Sequence, residues 1–374
     1  MRPVFTTFCL FVALARALPA QTLPKITLAP TNATLDDDFV GLTSLRELAD
    51  GRVLLTDGRD QQIYLADFTT RRATAVSRKG KGPLEYAFVG QLYATRGDST
   101  LMMDLSNQRW LLFAGARVAG TVPPDHPAVR ASSVIVGADR MGRVLTTRSA
   151  EFTEGVKVYS RKDSLDVLLV DRASGRVDTV GRLREMPRQA TQSRDKDGKV
   201  IASSTMATEY AARPELAHLS NDGALAVLRL DPLRVDWRTP SGRWTRGKPL
   251  PVVGATVTAA ERAAMAKGRA GMLEAMQKAG VPLPPEPTLP KVMPALDAGR
   301  PLELPDGRIV LKRRSPAAAP SSRYLVINRA GAIDGEITLA PNEQIVGFGV
   351  TSVYVSFKDA DDVQRLRRHS WPPR

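Results

Sequence analysis

A tight glycine turn that leads into an apolar run recurs along the chain. The run ends at Asp57 in LADGRVLLTD and 47 residues later at Asp104 in TRGDSTLMMD, and ADRMGRVLTT repeats the pattern after another 44 residues. The sequences LSNDGALAVL, LPDGRIVLKR and FGVTSVYVSF provide three further units. Because glycine or an Asx residue adopts the positive φ of a two-residue turn, each unit predicts a β-hairpin.

Each unit continues into two more short strands. DGRVLLTD is followed by QIYLADF and RRATAVS, and the fifth unit continues as RYLVINRAGAIDGEITL. Four short strands in a unit of about 40 to 50 residues are typical of one blade of a β-propeller. Since one blade cannot bury both faces alone, the pattern predicts an all-β ring of four-stranded antiparallel blades.

Two intervals between the units are long enough to raise the question of a further blade. The first contains residues 184–213, whose one Asp-Gly turn at Asp197 predicts a projecting hairpin. The second contains residues 256–292, where Thr258 is suited to cap a helix and Gly280 to end it, before a Pro-rich extended tether. We therefore predict six blades with a hairpin insertion and a helical insertion. Seven blades is the alternative, and it requires strands that we do not find.

Closing the ring requires a strand from the start of the chain. The sequence KITLAP forms a lone apolar strand before the first blade, while the last unit stops soon after DVQRLRRHSW. We predict that residues 24–30 complete the final blade.

Residues 1–20 have the pattern of a signal peptide. Arg2 is followed by the apolar run Val4–Ala15, and small residues offer cleavage after Ala17 or Ala20. The run is too short to span a bilayer, and no later run is longer. The sequence therefore predicts a periplasmic or secreted protein without a transmembrane segment.

The mature chain is predicted to be one propeller domain, residues 21–374. Its only cysteine lies in the signal peptide, so export needs no disulfide. The formal net charge of +14 comes from arginines scattered through every segment. A nucleic-acid-binding protein concentrates its positive charge on one face, so we expect no nucleic acid, although weak association with anionic envelope surfaces stays open.

The segment RKGKGPLEY, residues 78–86, resembles a junction between blades. It is similar to the Gly-x-Gly-Pro-Gly-Glu-Phe type segment between the first and second blades of secreted six-bladed propellers related to NHL-repeat and TolB-like proteins. The matching residues are Gly80, Gly82, Pro83, Glu85 and Tyr86. Leu84 departs from that pattern, because the group usually has glycine there. The resemblance implies export and the propeller fold, but no particular reaction.

The same segment is not a phosphate-binding loop by its context. Gly82 is followed by Pro83, which has no N–H, and then by another strand rather than by a helix. We expect the glycines to allow a sharp turn from one blade into the next. Tyr86 is expected to pack between the blades, and Glu85 to bind nearby backbone amides.

Motifs for metal binding and nucleophilic catalysis are weak or absent. The three histidines, His126, His218 and His369, are far apart in sequence, and no Gly-x-Ser-x-Gly is present. We therefore predict no metal site and no cofactor. DKDGK (residues 195–199) and KDADD (residues 358–362) offer oxygen ligands for calcium, but neither has EF-hand spacing, and surface turns are the favoured interpretation.

The polar residues before the hairpin turns are the candidate site. Counting back from the leucines of the innermost strands places Glu47, His218 and Glu303 at equivalent positions beside the central channel. Two carboxylates and an imidazole there could bind a cation, a polar ligand or a proton, while the simpler interpretation is a wet channel lined by polar residues.

No catalytic motif is evident, so we expect a binding or scaffolding module for an unknown protein or a small polar ligand. The alternative is a hydrolase or lyase that uses Glu47, His218 and Glu303 at the channel mouth.

Overall fold

The computed structural model describes residues 23–122, 134–149, 164–186, 188–210, 213–297, 299–315 and 320–371. In these ranges the chain forms six blades, each built on four antiparallel strands, and a separate two-stranded hairpin; one blade carries an additional parallel edge strand. The prediction of six blades is confirmed over the alternative of seven.

Two short strands precede the blades: β1 (Lys25–Ile26) and β2 (Thr31–Thr34). The first blade contains β3 (Leu42–Glu47), β4 (Val53–Asp57), β5 (Gln62–Asp67) and β6 (Arg72–Ala75). The second contains β7 (Leu92–Ala94), β8 (Ser99–Asp104), β9 (Arg109–Ala114) and β10 (Arg117–Val122). The third contains β11 (Val134–Ala138), β12 (Arg143–Ser149), β13 (Ser164–Asp171) and β14 (Val177–Arg184).

The second half of the ring begins after a two-stranded hairpin, β15 (Arg188–Arg194) and β16 (Val200–Ala207). The fourth blade contains β17 (Leu216–Leu219), β18 (Leu225–Leu230), β19 (Leu233–Arg238) and β20 (Trp244–Thr245), and the helix α1 (Ala259–Lys278) follows it. The fifth contains β21 (Leu302–Glu303), β22 (Ile309–Arg313), β23 (Ser322–Ile327) and β24 (Ile333–Leu339). The sixth contains β25 (Glu343–Phe348), β26 (Ser352–Lys358) and β27 (Gln364–Ser370), together with β2.

Both predicted insertions are present, and they contact each other. Thr258 caps α1 as expected: its side chain accepts a hydrogen bond from the Glu261 backbone, and the Glu261 carboxylate accepts one from the Thr258 backbone. The Tyr210 amide, just after the hairpin, donates to the Thr288 carbonyl at 2.8 Å. Each insertion joins the outer strand of one blade to the inner strand of the next, so both leave the ring on the same face.

The ring is closed by a different segment from the one predicted. The strand that completes the sixth blade is Thr31–Thr34, which pairs with β27, and not residues 24–30. Lys25–Ile26 instead adds a short parallel strand to the outer edge of the fifth blade. The apolar side chains of Ile26 and Leu28 pack against the core between the fifth and sixth blades. Their hydrophobicity therefore reflects burial between blades and not the closing strand itself.

The junction at residues 78–86 joins the first two blades as predicted. Tyr86 is fully buried in a cluster with residues of both blades, and its hydroxyl donates to the Gln61 carbonyl at 3.1 Å. The Glu85 carboxylate accepts from the Gly82 amide at 2.9 Å and pairs with Arg78 at 2.7 Å. The Gly82 hydrogen bond, followed by the one from Arg78, lowers the pKa of Glu85. A Cβ at Gly80 would overlap this carboxylate, so a larger residue there would displace Glu85 from the position in which it binds the Gly82 amide.

The described residues contain no helix that is long and apolar enough to cross a membrane.

Candidate functional site

The innermost strands of the six blades surround a central channel. Residues of β3, β7, β11, β17, β21 and β25, with the turns that follow several of them, line a cavity of about 440 Å³. Because side chains alternate along a strand, one set from each inner strand faces the preceding blade and the other faces the following blade. This alternation decides which side chains meet across a blade boundary.

All three predicted site residues line this cavity, but they are not equivalent. Glu47 and Glu303 each pair with the second residue after the turn glycine. In the fourth blade the residue that pairs in this way is Leu219, and His218 precedes it at the level of Arg46. The predicted equivalence is therefore wrong by one residue. We counted back from Leu48, Leu219 and Leu304, but Leu219 lies four residues before its turn glycine, whereas the other two leucines lie three residues before theirs.

The shift of one residue brings His218 and Glu303 together. Glu303 faces the fourth blade and His218 faces the fifth, so the two side chains approach across the boundary, with 3.5 Å between His218 Nε2 and Glu303 Oε2. The two side chains are only 10% and 12% exposed. Among the described residues, His218 Nε2 has no hydrogen-bond partner.

The two glutamates make the same inter-blade contact. Glu303 accepts from the Asn221 amide in the turn of the fourth blade, at 3.0 and 3.1 Å to its two oxygens. Glu47 accepts from the Val350 amide in the turn of the sixth blade at 3.0 Å. Each carboxylate thus joins its blade to the preceding one, which gives both residues a structural role as well as a place on the channel wall.

Glu47 has a second partner that separates it from the other two residues. The Tyr354 hydroxyl, inside the sixth blade, donates to Glu47 Oε2. Burial, followed by the hydrogen bond to Glu47, raises the pKa of Tyr354 above its usual value, so the phenol stays protonated and keeps donating. The structure therefore brings His218 and Glu303 into one pair and directs Glu47 toward the sixth blade.

Four arginines on the channel wall were missed from sequence. They are Arg46, Arg140, Arg300 and Arg329. Counting back from the turn glycines would have found Arg46 at the level of His218, whereas Arg140 and Arg300 lie outside the inner strands and have no periodic signal.

Arg300 crosses the channel from the fifth blade. It follows the helical insertion and donates to the Tyr93 hydroxyl of the second blade at 2.9 Å and to the Val136 carbonyl of the third blade at 2.8 Å. Its guanidinium also lies 4.8 Å from the centre of the Tyr93 ring, within the range of a cation–π contact. Arg300 therefore connects opposite sides of the ring through the cavity.

Those residues weighed for metal binding that the structure describes do not converge. Among the described residues, no group of three or more His, Cys, Asp or Glu side chains is placed to hold a metal ion. The Asp195 and Asp359 carboxylates each accept two backbone amides within their own turns. His369 is bound to the Ala29 carbonyl in the sixth blade, and His126 lies outside the described residues.

No protein-family model matches the chain, and no curated protein is similar to it in sequence. Among solved structures, a Bacteroides fragilis protein described as exported is 9% identical with a TM-score of 0.45, covering 94% of this chain and 100% of its own. The calcium-binding protein regucalcin from Agrobacterium tumefaciens is 10% identical with a TM-score of 0.42, covering 93% and 97%. Inactive virginiamycin B lyase from Staphylococcus aureus, with quinupristin, is 11% identical with a TM-score of 0.41, covering 91% and 98%.

The fold assignment follows from the strand pairing of the chain itself. The protein is a six-bladed β-propeller whose central channel holds a histidine–glutamate pair and several arginines.

Proposed function

We propose that the protein is an exported β-propeller binding module that takes a small polar ligand in its central channel. The signal-peptide pattern of residues 1–20 and the likeness of the 78–86 junction to secreted NHL-type propellers support export. The cavity of about 440 Å³ is in the range of small-molecule sites, and its wall is rich in charged side chains.

The observation that carries this proposal is the state of the His218 ring. His218 is only 8% exposed, and its Nε2 faces Glu303 without a hydrogen-bond partner among the described residues. A buried polar atom left unpaired costs about 1–3 kcal/mol. A hydroxyl or amine of a ligand that bridges His218 and Glu303 recovers that cost, which makes binding there favourable.

The test is a screen of small polar fragments against the wild-type protein and a His218→Gln variant. We expect fragments that raise the melting temperature of the wild type to lose most of that effect in the variant, with calorimetry confirming the weaker binding. His369→Gln is the matched control, because it removes a buried histidine outside the cavity and leaves binding unchanged. Fragments whose binding depends on neither His218 nor a Glu47→Gln/Glu303→Gln double substitution contradict the channel site.

Export is tested separately on the mature protein. Mass spectrometry of the protein from its native host is expected to show an N-terminus near residue 18 or 21. A mature chain that begins at Met1 would refute export without affecting the channel proposal.

A hydrolase or lyase at the same site is the second candidate, favoured by the same pair. An imidazole beside a carboxylate can accept a proton from water or from a substrate carbon, and the carboxylate stabilises the imidazolium that forms. NMR of fragment mixtures incubated with the protein would show new products if the pair is catalytic. Product formation that survives His218→Gln excludes the pair as its source.

A further inference from the structure

The channel wall carries the His218–Glu303 pair on the fourth and fifth blades, and Arg46 and Arg140 on the first and third blades. Two further arginines of the fifth blade also line it: Arg329, which pairs with Asp222, and Arg300, whose guanidinium reaches Tyr93 and Val136. The other carboxylates of the wall have partners already. Asp222 pairs with Arg329 at 3.2 Å, Asp306 pairs with Arg308 at 2.8 Å, and Glu47 is bound by the sixth blade.

Arg46 and Arg140 have few carboxylate partners. Arg46 donates to the Thr100 hydroxyl at 3.0 Å and lies 3.6 Å from Asp98. Burial, with a further contribution from the charge of Arg140, lowers the pKa of Arg46, while Asp98 opposes that shift. Within the described part of the chain, no carboxylate lies within 4.0 Å of the Arg140 guanidinium. Together with Arg300, which reaches Tyr93 and Val136, this side of the cavity therefore holds three cations, and Asp98 beside Arg46 is the carboxylate that pairs with them within the described residues.

Building on the channel function proposed above, we infer that the ligand is an organic carboxylate. Its anionic group pairs with Arg140 and Arg46, and a hydroxyl or amine elsewhere in the molecule meets His218 and Glu303. The planar fork of arginine matches the geometry of a carboxylate, which favours this pairing. The arginine fork also matches a phosphate, so the experiment compares the two anions directly.

The experiment uses carboxylic acids paired with their isosteric carboxamides, so that only the charge differs within each pair. For pairs that bind the wild-type channel, we expect the acid to bind about tenfold more tightly than the amide, as a charge-assisted hydrogen bond provides. Arg140→Gln is expected to abolish most of this preference. Arg117→Gln is the matched control, since it removes the same charge from an exposed position on the outer strand of the second blade.

The outcomes separate this inference from the function on which it rests. Acids and amides that bind equally well, and that both weaken in His218→Gln, overturn the carboxylate while the channel function stands. Binding that depends on neither His218 nor the Glu47→Gln/Glu303→Gln double substitution refutes the channel function itself. A preference that falls as much in Arg117→Gln as in Arg140→Gln overturns the inference, because it then reflects the net positive charge. A phosphonate isostere that binds more tightly than the carboxylate overturns it as well.

Discussion

The isosteric substitution Asp104→Asn is expected to destabilise the propeller strongly. Asp104 ends β8, is fully buried, and uses both carboxylate oxygens: Oδ2 accepts from the Ala87 amide and Oδ1 from the Phe88 amide, each at 3.0 Å. These two amides belong to the segment that leads into β7, the strand that brings Tyr93 to the channel. Asp57 binds the amides of Val40 and Gly41 before β3 in the same way.

The cost follows from replacing one acceptor with a donor. The asparagine amide keeps one oxygen, so one of the two backbone N–H groups loses its charged acceptor and faces an NH₂ group inside a site that water does not reach. Asn107, which donates to both carboxylate oxygens, loses a bond as well. A hydrogen bond to a charged group contributes about 1.5–3 kcal/mol, and an unpaired buried donor costs about 1–3 kcal/mol. Both values count part of the same lost hydrogen bond, so they are not added in full. We therefore expect the free energy of unfolding to fall by about 3 kcal/mol.

Urea unfolding followed by tryptophan fluorescence measures this change, with Asp171→Asn as the matched control. Asp171 also accepts two amides, those of Ala173 and Ser174, but both bind the same oxygen, Oδ1, in an exposed turn. Asparagine retains that oxygen, so the control is expected to lose less than about 1 kcal/mol. If Asp104→Asn is as mild as the control, the assignment of both Asp104 oxygens to backbone amides is wrong.

Two further substitutions test other joints of the ring. Tyr86→Phe removes the hydrogen bond to the Gln61 carbonyl and is expected to cost about 1 kcal/mol in urea unfolding; an unchanged or higher stability would contradict that role. Burial, and then the charge of Arg367, lowers the pKa of His369, while its hydrogen bond to the Ala29 carbonyl opposes the shift. The native ring therefore stays neutral where the unfolded ring charges, and this part of the stability is present above about pH 6.5 and lost as the pH falls. The melting temperature of the wild type should therefore fall more between pH 7.5 and pH 5 than that of His369→Gln. His218→Gln is the control and should fall as the wild type does. Equal falls in the wild type and His369→Gln would refute this.

The blades were predictable because their signals are local. A turn glycine, an apolar strand and a polar break recur within each unit, and residues distant in sequence are not needed to recognise them. The same holds for the N-cap at Thr258 and for the junction at Tyr86, where the functional contacts lie within a few residues or in the adjoining blade.

The closing strand was not predictable in this way. Residues 31–34 read TNAT and carry no apolar alternation, because they form an outer edge whose stability comes from pairing with β27 more than 330 residues away. We predicted the apolar KITLAP segment as the closing strand, yet its apolar side chains pack between two blades. Hydrophobicity alone does not distinguish a strand that pairs from a segment that packs.

The candidate site shows a sharper limit of the same kind. Side chains alternate along an inner strand, so one residue faces the preceding blade and the next residue faces the following blade. A register error of one residue therefore assigns a side chain to the wrong neighbouring blade. Placed at the level of Glu303, His218 would face the third blade; one position earlier it meets Glu303 across the boundary. The turns after these strands have the same length, since Leu48, Ser220 and Leu304 each donate to the carbonyl four residues further on. The error arose because Leu219 occupies the position of Glu47, one residue before the position of Leu48. Inserting or deleting one residue in the turn after Leu219 should shift this register and separate His218 from Glu303 without changing either residue.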